Sequence, residues 1–295
     1  MKFIAVLIIA SLKDPASINI KNCLLEQTTW EETNIFFKQQ VYQHEDMKDI
    51  NLITIIDRKI THENIVKEVK QQLNIKANQA IFISRHTSKT GDPTLTVHPI
   101  GNYGIAEFGG YDKTLSISSP KIMTQLLRIL KKNAKDKKLY HKICYEVTHH
   151  GPYMPIPTLF IEVGSTEMEW KKKQPAEIVS KSVINLLEDY HYEKDFKNEM
   201  TVLLGVGGGH YAPRFTDVAF EKNIAFGHMI PSYQINAGNI DNEMFKQALE
   251  KTPNVEGVYI HRKALKKSQV SEFKQWFEKN GVPVISSRYL PNLTF

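Results

Sequence analysis

Phe3-Ile4-Ala5-Val6-Leu7-Ile8-Ile9-Ala10, then Ser11-Leu12-Lys13, then Asp14-Pro15-Ala16-Ser17: an unbroken apolar run, a short polar break and a helix start decide the fold class of this chain. The run follows Met1-Lys2, as in a secretory signal, but it is too short to span a bilayer and no small-x-small cleavage site follows it cleanly. A buried first strand accounts for the same residues. Behind it, Pro15 suits the first turn of a helix, and Ile18, Ile20, Leu24 and Leu25 give that helix an apolar side.

The strand–turn–helix unit recurs outward from this point. Apolar runs at Ile35-Phe36-Phe37, Val41-Tyr42 and Leu52–Ile56 precede a helix predicted from about Glu63 to Leu73, and Ala80–Ser84 is a further strand. Ile122, Met123, Leu126, Leu127 and Leu130 repeat at helical spacing within a helix from Pro120 to Lys138, whose basic end suits a helix C-terminus. Strands around Ile143–Thr148 and Thr158–Val163 flank a Gly/Pro segment, and a helix from about Ala176 to Tyr190 follows. Thr201–Leu204, Ile224–Phe226, Val255–Ile260 and Val282–Ile285 read as strands, and Asn242–Lys251 and Ser268–Asn280 as helices. The pattern predicts an α/β fold, a layered mixed sheet flanked by helices. No internal repeat or linker interrupts it, so residues 1–295 are read as one domain.

Composition narrows the class. The chain has 295 residues, 41% hydrophobic and 24% charged, which excludes disordered, collagen-like and low-complexity proteins. The net charge of +6 favours a polyanionic partner. Cys23 and Cys144 stand far apart in no C-x-x-C pair, which argues against a disulfide scaffold, a zinc ribbon or an iron–sulfur site, and a reducing cytoplasm is the simplest home.

Six histidines, His86, His98, His149, His150, His210 and His228, fall in Gly/Pro-rich segments directly after predicted strands. Such strand-end loops line the ligand crevice of open α/β sheets, and imidazole suits metal ligation and proton transfer near neutral pH. The first cluster, Ser84-Arg85-His86-Thr87-Ser88-Lys89-Thr90-Gly91 through His98 and on to Gly101-Asn102, packs hydroxyls, imidazoles and a lysine around glycine turns. It reads either as a phosphate- or ribose-binding loop or as a solvated surface loop, and it is not a P-loop. The second, Thr148-His149-His150-Gly151-Pro152, precedes a strand carrying Glu162 and a turn carrying Glu167. Imidazole with carboxylate suits a hydrolytic zinc, with a separate carboxylate to shuttle the proton; alternatively Glu162 pairs with a lysine inside the sheet. The third, Gly205 to Thr216 around Gly207-Gly208-Gly209-His210, lets backbone approach a ligand closely but fails as a dinucleotide fingerprint.

Familiar hydrolase signatures are absent. His62-Glu63 opens a zincin-like pattern, but position 66 is Val66; Gly164-Ser165 lacks the flanks of a nucleophile elbow; and Cys23 has no activating basic neighbour. The basic runs Lys131-Lys132 through Lys137-Lys138, Lys171-Lys172-Lys173 and His261-Arg262-Lys263 with Lys266-Lys267 are solvated faces, or together a track for a nucleic-acid backbone.

Taken together, Arg85-His86-Thr87-Ser88-Lys89-Thr90-Gly91, Pro93–His98, Gly101-Asn102, Thr148–Pro152, Glu162–Thr166 with Glu169-Trp170, and Gly207–Pro213 resemble the archaeal and plant type of D-aminoacyl-tRNA deacylase. The blocks run through most of the chain in family order, and Asp14-Pro15-Ala16-Ser17 is similar to the family's opening. The resemblance implies hydrolysis of the ester between a D-amino acid and the terminal ribose of tRNA. It also implies a zinc cofactor and an α/β domain similar to nucleoside phosphorylases and peptidyl-tRNA hydrolases. On chemical grounds the expected zinc ligands are His149, His150, His210, His228 and Glu162, with Glu162, Glu167 and His150 as catalytic groups. His86, Ser88, Lys89, His98, Asn102, Gly208 and Gly209 are the expected substrate contacts. A monomer acting on charged tRNA, without membrane attachment, is expected. The alternatives are a peptidyl-tRNA-hydrolase-like esterase and a non-catalytic RNA-binding protein.

Overall fold

A computed structural model describes residues 5–191 and 200–293. The opening run forms β1 (Val6–Ser11), buried along its whole length; Phe3 and Ile4 lie outside the described residues. Asp14 then caps α1 (Pro15–Gln27) by accepting from the Ser17 N–H at 3.0 Å, which satisfies one of the free donors at a helix start. The chain continues through β2 (Trp30–Phe36), β3 (Gln39–His44), β4 (Ile50–Ile55), α2 (Ile65–Leu73), β5 (Gln79–Arg85) and β6 (Thr94–His98). Next come α3 (Pro120–Asp136), β7 (Lys142–Tyr145), β8 (Thr158–Gly164), α4 (Glu167–Lys171) and α5 (Lys173–His191). The last part comprises β9 (Thr201–Val206), α6 (Pro213–Glu221), β10 (Ile224–Ile230), α7 (Ser232–Asn236), α8 (Asn242–Glu250), β11 (Gly257–Ile260) and α9 (Lys267–Lys279).

Eight strands pair in the order β2-β3-β4-β1-β5-β8-β6-β7, and β10-β9-β11 form a second, parallel sheet. In the large sheet β4, β1, β5 and β8 run parallel, while β6 runs antiparallel to β8. This is the layered mixed α/β architecture that the alternation of apolar runs predicts.

Strand alternation sorts the large sheet into two faces. Ile8, Ile81, Ile83, Leu159, Ile161 and Val163 point to one face, where the apolar sides of α1, α3 and α5 bury them. Leu7, Ile9, Phe82 and Phe160 point to the other, which is covered by Ile65 and Val69 of the short α2 and by loop residues such as Ile100 and Met154. Because one nine-residue helix and loops cover this second face, its strand ends are left for a site. The segment after β7 ties the two sheets together: the Val147 N–H donates to the His210 carbonyl at 2.9 Å and the Thr148 N–H to that of Met229 at 3.1 Å.

Several local expectations change, among them the strand read to Thr148, which ends at Tyr145. Val282–Ile285 is not a strand; Val284 makes only an isolated bridge to Val258. The loop read between His86 and His98 contains β6, and β10 extends through His228 and Met229 to Ile230 rather than stopping at Phe226.

Candidate active site

The second face of the large sheet turns from apolar to polar along its strands. On β8, Phe160 is followed two residues on by Glu162; opposite them, β6 presents His98 and Thr96, and β5 presents Phe82 and Ser84. Period-two alternation therefore puts Ser84, Thr96, His98 and Glu162 in one buried patch. The Ser84 hydroxyl donates to Glu162 Oε1 at 2.5 Å.

Loops bring four more imidazoles and a second carboxylate onto this patch. β7 ends at Tyr145, and the Glu146 N–H donates to the Val97 carbonyl at 3.0 Å, so Glu146 sits beside β6 with its side chain fully buried. Around its carboxylate stand His210 Nε2 at 2.9 Å, His86 Nδ1 at 3.2 Å and His149 Nε2 at 3.4 Å. Glu162 Oε2 faces His86 Nδ1 at 3.5 Å and His98 Nε2 at 3.6 Å. His86 Nε2 lies 3.0 Å from the Tyr211 hydroxyl.

The rings of His98, His149 and His150 are oriented from behind. Their Nδ1 atoms donate to the carbonyls of Pro99, Val147 and Gly151 at 3.1, 2.8 and 2.8 Å, which leaves each Nε2 as the outward-facing nitrogen. A backbone carbonyl behind an imidazole is the arrangement that fixes the tautomer of a metal-binding histidine. Three sets of ligand atoms lie within 4.8 Å of one another: His98, His149 and His150; His86, Glu146 and His210; and His98, Glu146 and Glu162. Both Glu146 oxygens and His98 Nε2 are buried and make no hydrogen bond despite their short contacts. Buried ring nitrogens and carboxylate oxygens crowded together with few hydrogen bonds among them are what a divalent cation reconciles, and the nitrogen–oxygen donor set suits zinc.

Electrostatics within the patch are sharply divided. Burial opposes ionisation of Glu146 and Glu162, but the imidazoles around them outweigh it and hold both carboxyls well below the usual carboxylate range. Burial alone would lower His86, yet Glu146 and Glu162 raise it to about 11; Glu162 likewise raises His98 against its burial. Burial and then the charge of His98 push His149 well down and His150 to about 3, so both are neutral donors at physiological pH.

The cluster opens into a cavity of about 450 Å³ lined by His86, His149, His150, Glu162 and His210, with Phe108 and four basic residues, Lys13, Arg58, Lys59 and Arg85, on its other walls. Of the sequence-predicted residues, His86, His98, His149, His150, His210 and Glu162 converge here. Glu167 does not: it starts α4 with its side chain exposed and paired with Lys171 at 2.6 Å. The second carboxylate of the site is Glu146 instead. His228 is also excluded, because it lies inside β10, fully buried, with Nδ1 on the Thr148 hydroxyl at 3.0 Å and Nε2 on the Ser116 carbonyl at 2.9 Å. Ser88, Lys89, Gly208 and Gly209 lie outside the cavity lining, and the Asn102 amide donates to the Gly109 carbonyl, holding a loop rather than facing the cavity.

Glu146 hid within a segment read as strand to Thr148, where an acidic residue between Tyr145 and Val147 passes for ordinary alternation. The basic wall hid because Lys13, Arg58 and Lys59 sit in turns with no motif of their own. One signal was available for them: each directly follows a buried parallel strand, where α/β sheets place their ligand crevice.

A mixed α/β sheet with converged imidazoles and carboxylates at its strand ends is the frame of a hydrolytic enzyme. The family model of D-aminoacyl-tRNA deacylases matches residues 73–285. The chain is 37% identical over 250 residues to the D-aminoacyl-tRNA deacylase of Pyrococcus furiosus, covering 84% of this chain and 87% of that one. It is 38% identical over 256 residues to that of Thermococcus kodakarensis, covering 86% and 89%. A crystal structure of a conserved protein of unknown function superposes with a TM-score of 0.87 at 29% identity, over 100% of both chains. The chain belongs to the D-aminoacyl-tRNA deacylase family.

Proposed function

We propose that the chain hydrolyses the ester joining a D-amino acid to the 3′-terminal ribose of tRNA, releasing both, and so removes wrongly charged tRNA before translation uses it. The observation that carries this reading is the crowding of ligand atoms of His98, His149 and His150, and of His86, Glu146 and His210, beside a cavity lined by His86, His149, His150 and His210, with His98 Nε2 and both Glu146 oxygens left without a hydrogen bond. It is the donor arrangement of a hydrolytic centre rather than of a passive binding surface.

Zinc is the proposed cofactor; it would be held by three protein ligands, His98, His149 and His150 or His86, Glu146 and His210, with a further position left open. When bound it supplies Lewis acidity and makes water nucleophilic near neutral pH. The protein's own groups supply the rest. His149 and His150, kept neutral by burial, offer nitrogen lone pairs at physiological pH. Glu162, anchored at Oε1 by Ser84, holds and passes the proton at Oε2, beside His86. The cavity walls orient the ester and exclude bulk water.

The described residues contain no helix long and apolar enough to cross a membrane. Cys23 and Cys144 are buried free thiols, in keeping with a reducing cytoplasm, and we take the chain to act there as a monomer. The reading is tested by incubating the protein with D-tyrosyl-, L-tyrosyl- and N-acetyl-L-tyrosyl-tRNA. Selective loss of the D-ester supports it; selective loss of the N-acetylated ester would favour peptidyl-tRNA hydrolysis, and loss of none would leave only RNA binding.

A further inference from the structure

The basic wall of the cavity has no partner in the chemistry above. Lys13 follows β1, Arg58 and Lys59 follow β4, and Arg85 ends β5, so the C-terminal edge of three neighbouring parallel strands carries four cations. Two carboxylates line the cavity with them: Glu162, which faces His86 and His98, and Asp14. Asp14 is already engaged by the Lys59 ammonium and by the Ser17 and Arg85 N–H groups, so it neutralises Lys59 and nothing more. Among the described residues Lys13, Arg58 and Arg85 make no ion pair; Arg85 is braced by Trp170, whose ring lies 4.8 Å from its guanidinium. Uncompensated like charges lining a concave surface repel one another unless an anion joins them.

Phe108 lines the same cavity and is 61% exposed. Its backbone is not loose. The Gly151 N–H donates to the Phe108 carbonyl at 3.0 Å, the Asn102 amide holds Gly109, and the Gly110 N–H donates to Glu63 at 3.0 Å. Beside it Tyr111 is half exposed, with its ring 5.6 Å from that of Tyr153. A large ring held toward solvent on a fixed loop, beside free cations, combines the two features with which proteins grip single-stranded nucleic acid: a stacking surface and a track for phosphates.

We propose that Lys13, Arg58 and Arg85 together with Phe108 form a subsite for the unpaired 3′-terminal nucleotides of the substrate, phosphodiesters on the cations and a base against Phe108. The subsite rests on the ester-hydrolysis reading for its biological substrate, and it sets the terminal ribose at the imidazole–carboxylate cluster of the same cavity. It also replaces Ser88 and Lys89 as phosphate contacts, since neither lines the cavity.

The test is direct binding of the uncharged ribotrinucleotide CCA, measured by calorimetry or fluorescence across a salt series. Lys13 and Arg58 are exposed, so Lys13→Ala and Arg58→Ala leave the core untouched. Each is expected to flatten the slope of log affinity against log salt by about 0.7, the share of one single-strand phosphate contact. Phe108→Ala is expected to weaken binding about fivefold or more while leaving the slope unchanged. Lys246→Ala, which removes an equal charge from α8, is the control. Binding by Lys13→Ala and Arg58→Ala that matches the control in strength and slope overturns the subsite, and so does binding by Phe108→Ala at wild-type strength. Because no hydrolysis is read, a protein that binds CCA through these residues but leaves D-aminoacyl-tRNA intact would sink the proposed function and keep the subsite.

Discussion

Ser84 and Glu162 are directly opposite each other on neighbouring parallel strands, and the serine hydroxyl donates to the carboxylate at 2.5 Å in a fully buried layer. The pair fixes one Glu162 oxygen and leaves the other for His86 and His98. Removing the hydroxyl leaves a buried anion short of a donor. Ser84→Ala is expected to cost about 1.5–3 kcal/mol, the usual worth of a hydrogen bond to a charged group. Chemical denaturation checks this, and a variant as stable as the parent would show that Glu162 does not depend on Ser84.

Glu162 and Glu167 looked equivalent as candidate carboxylates, and their surroundings separate them. Glu162→Gln is expected to lower the hydrolysis rate by about 10²–10⁴, the range for loss of a positioned proton-transfer group. Glu167→Ala, on an exposed side chain outside the cavity, is expected to retain the parent rate and to change stability by no more than about 0.5 kcal/mol. Single-turnover assays on D-tyrosyl-tRNA compare the two directly. Equal losses would return Glu167 to the mechanism.

Away from the site, His62 is buried between two carboxylates, Nδ1 at 2.7 Å from Asp57 and Nε2 at 2.7 Å from Glu68. Burial favours the neutral ring, but the two carboxylates outweigh it and raise the pKa above the ordinary 6.5. A raised folded-state pKa stabilises the protein fully below the unfolded value and ceases to do so as pH climbs through the folded one. The stability gap between the parent and His62→Gln is therefore expected to be larger at about pH 5.5 than at about pH 9. Urea titrations at both pH values measure it; a gap that grows with pH would contradict the ion-pair account.

Gly109 and Gly281 both adopt positive φ, +78° and +75°. At Gly281 an added Cβ meets open space, whereas at Gly109 it would overlap the Ile60 carbonyl oxygen. Gly109→Ala must move the loop that carries Phe108, so it is expected to cost well over the ~1 kcal/mol that backbone strain alone imposes on Gly281→Ala. Thermal unfolding of the two variants ranks them.

The fold was legible where the signal is local. Continuous apolar runs such as Val6–Ala10 and helical spacing such as that of Leu126, Leu127 and Leu130 mark their elements without reference to neighbours. Short segments were not legible: β6 is five residues of alternating Thr and apolar side chains that also read as loop, and Val282–Ile285 has strand composition but pairs only through Val284. At the site, histidines after strands gave most of the cluster. Lys13, Arg58 and Arg85 acquire meaning only when strand order sets β4, β1 and β5 side by side, and Glu146 only when β7 pairs with β6 next to β8, non-local facts that spacing along the chain does not carry. His228 shows the converse error, since a strand misread as short turned a core histidine, satisfied at both nitrogens, into a candidate ligand.

If the crowded imidazole–carboxylate cluster holds zinc and hydrolyses the ester of D-aminoacyl-tRNA, turnover must follow the metal. The most direct measurement is release of D-tyrosine from D-tyrosyl-tRNA by the purified protein, before chelation, after chelation and after zinc is restored. Hydrolysis is expected to be lost on chelation and recovered with zinc. Hydrolysis that continues unchanged in the chelated, metal-free protein would contradict the zinc reading.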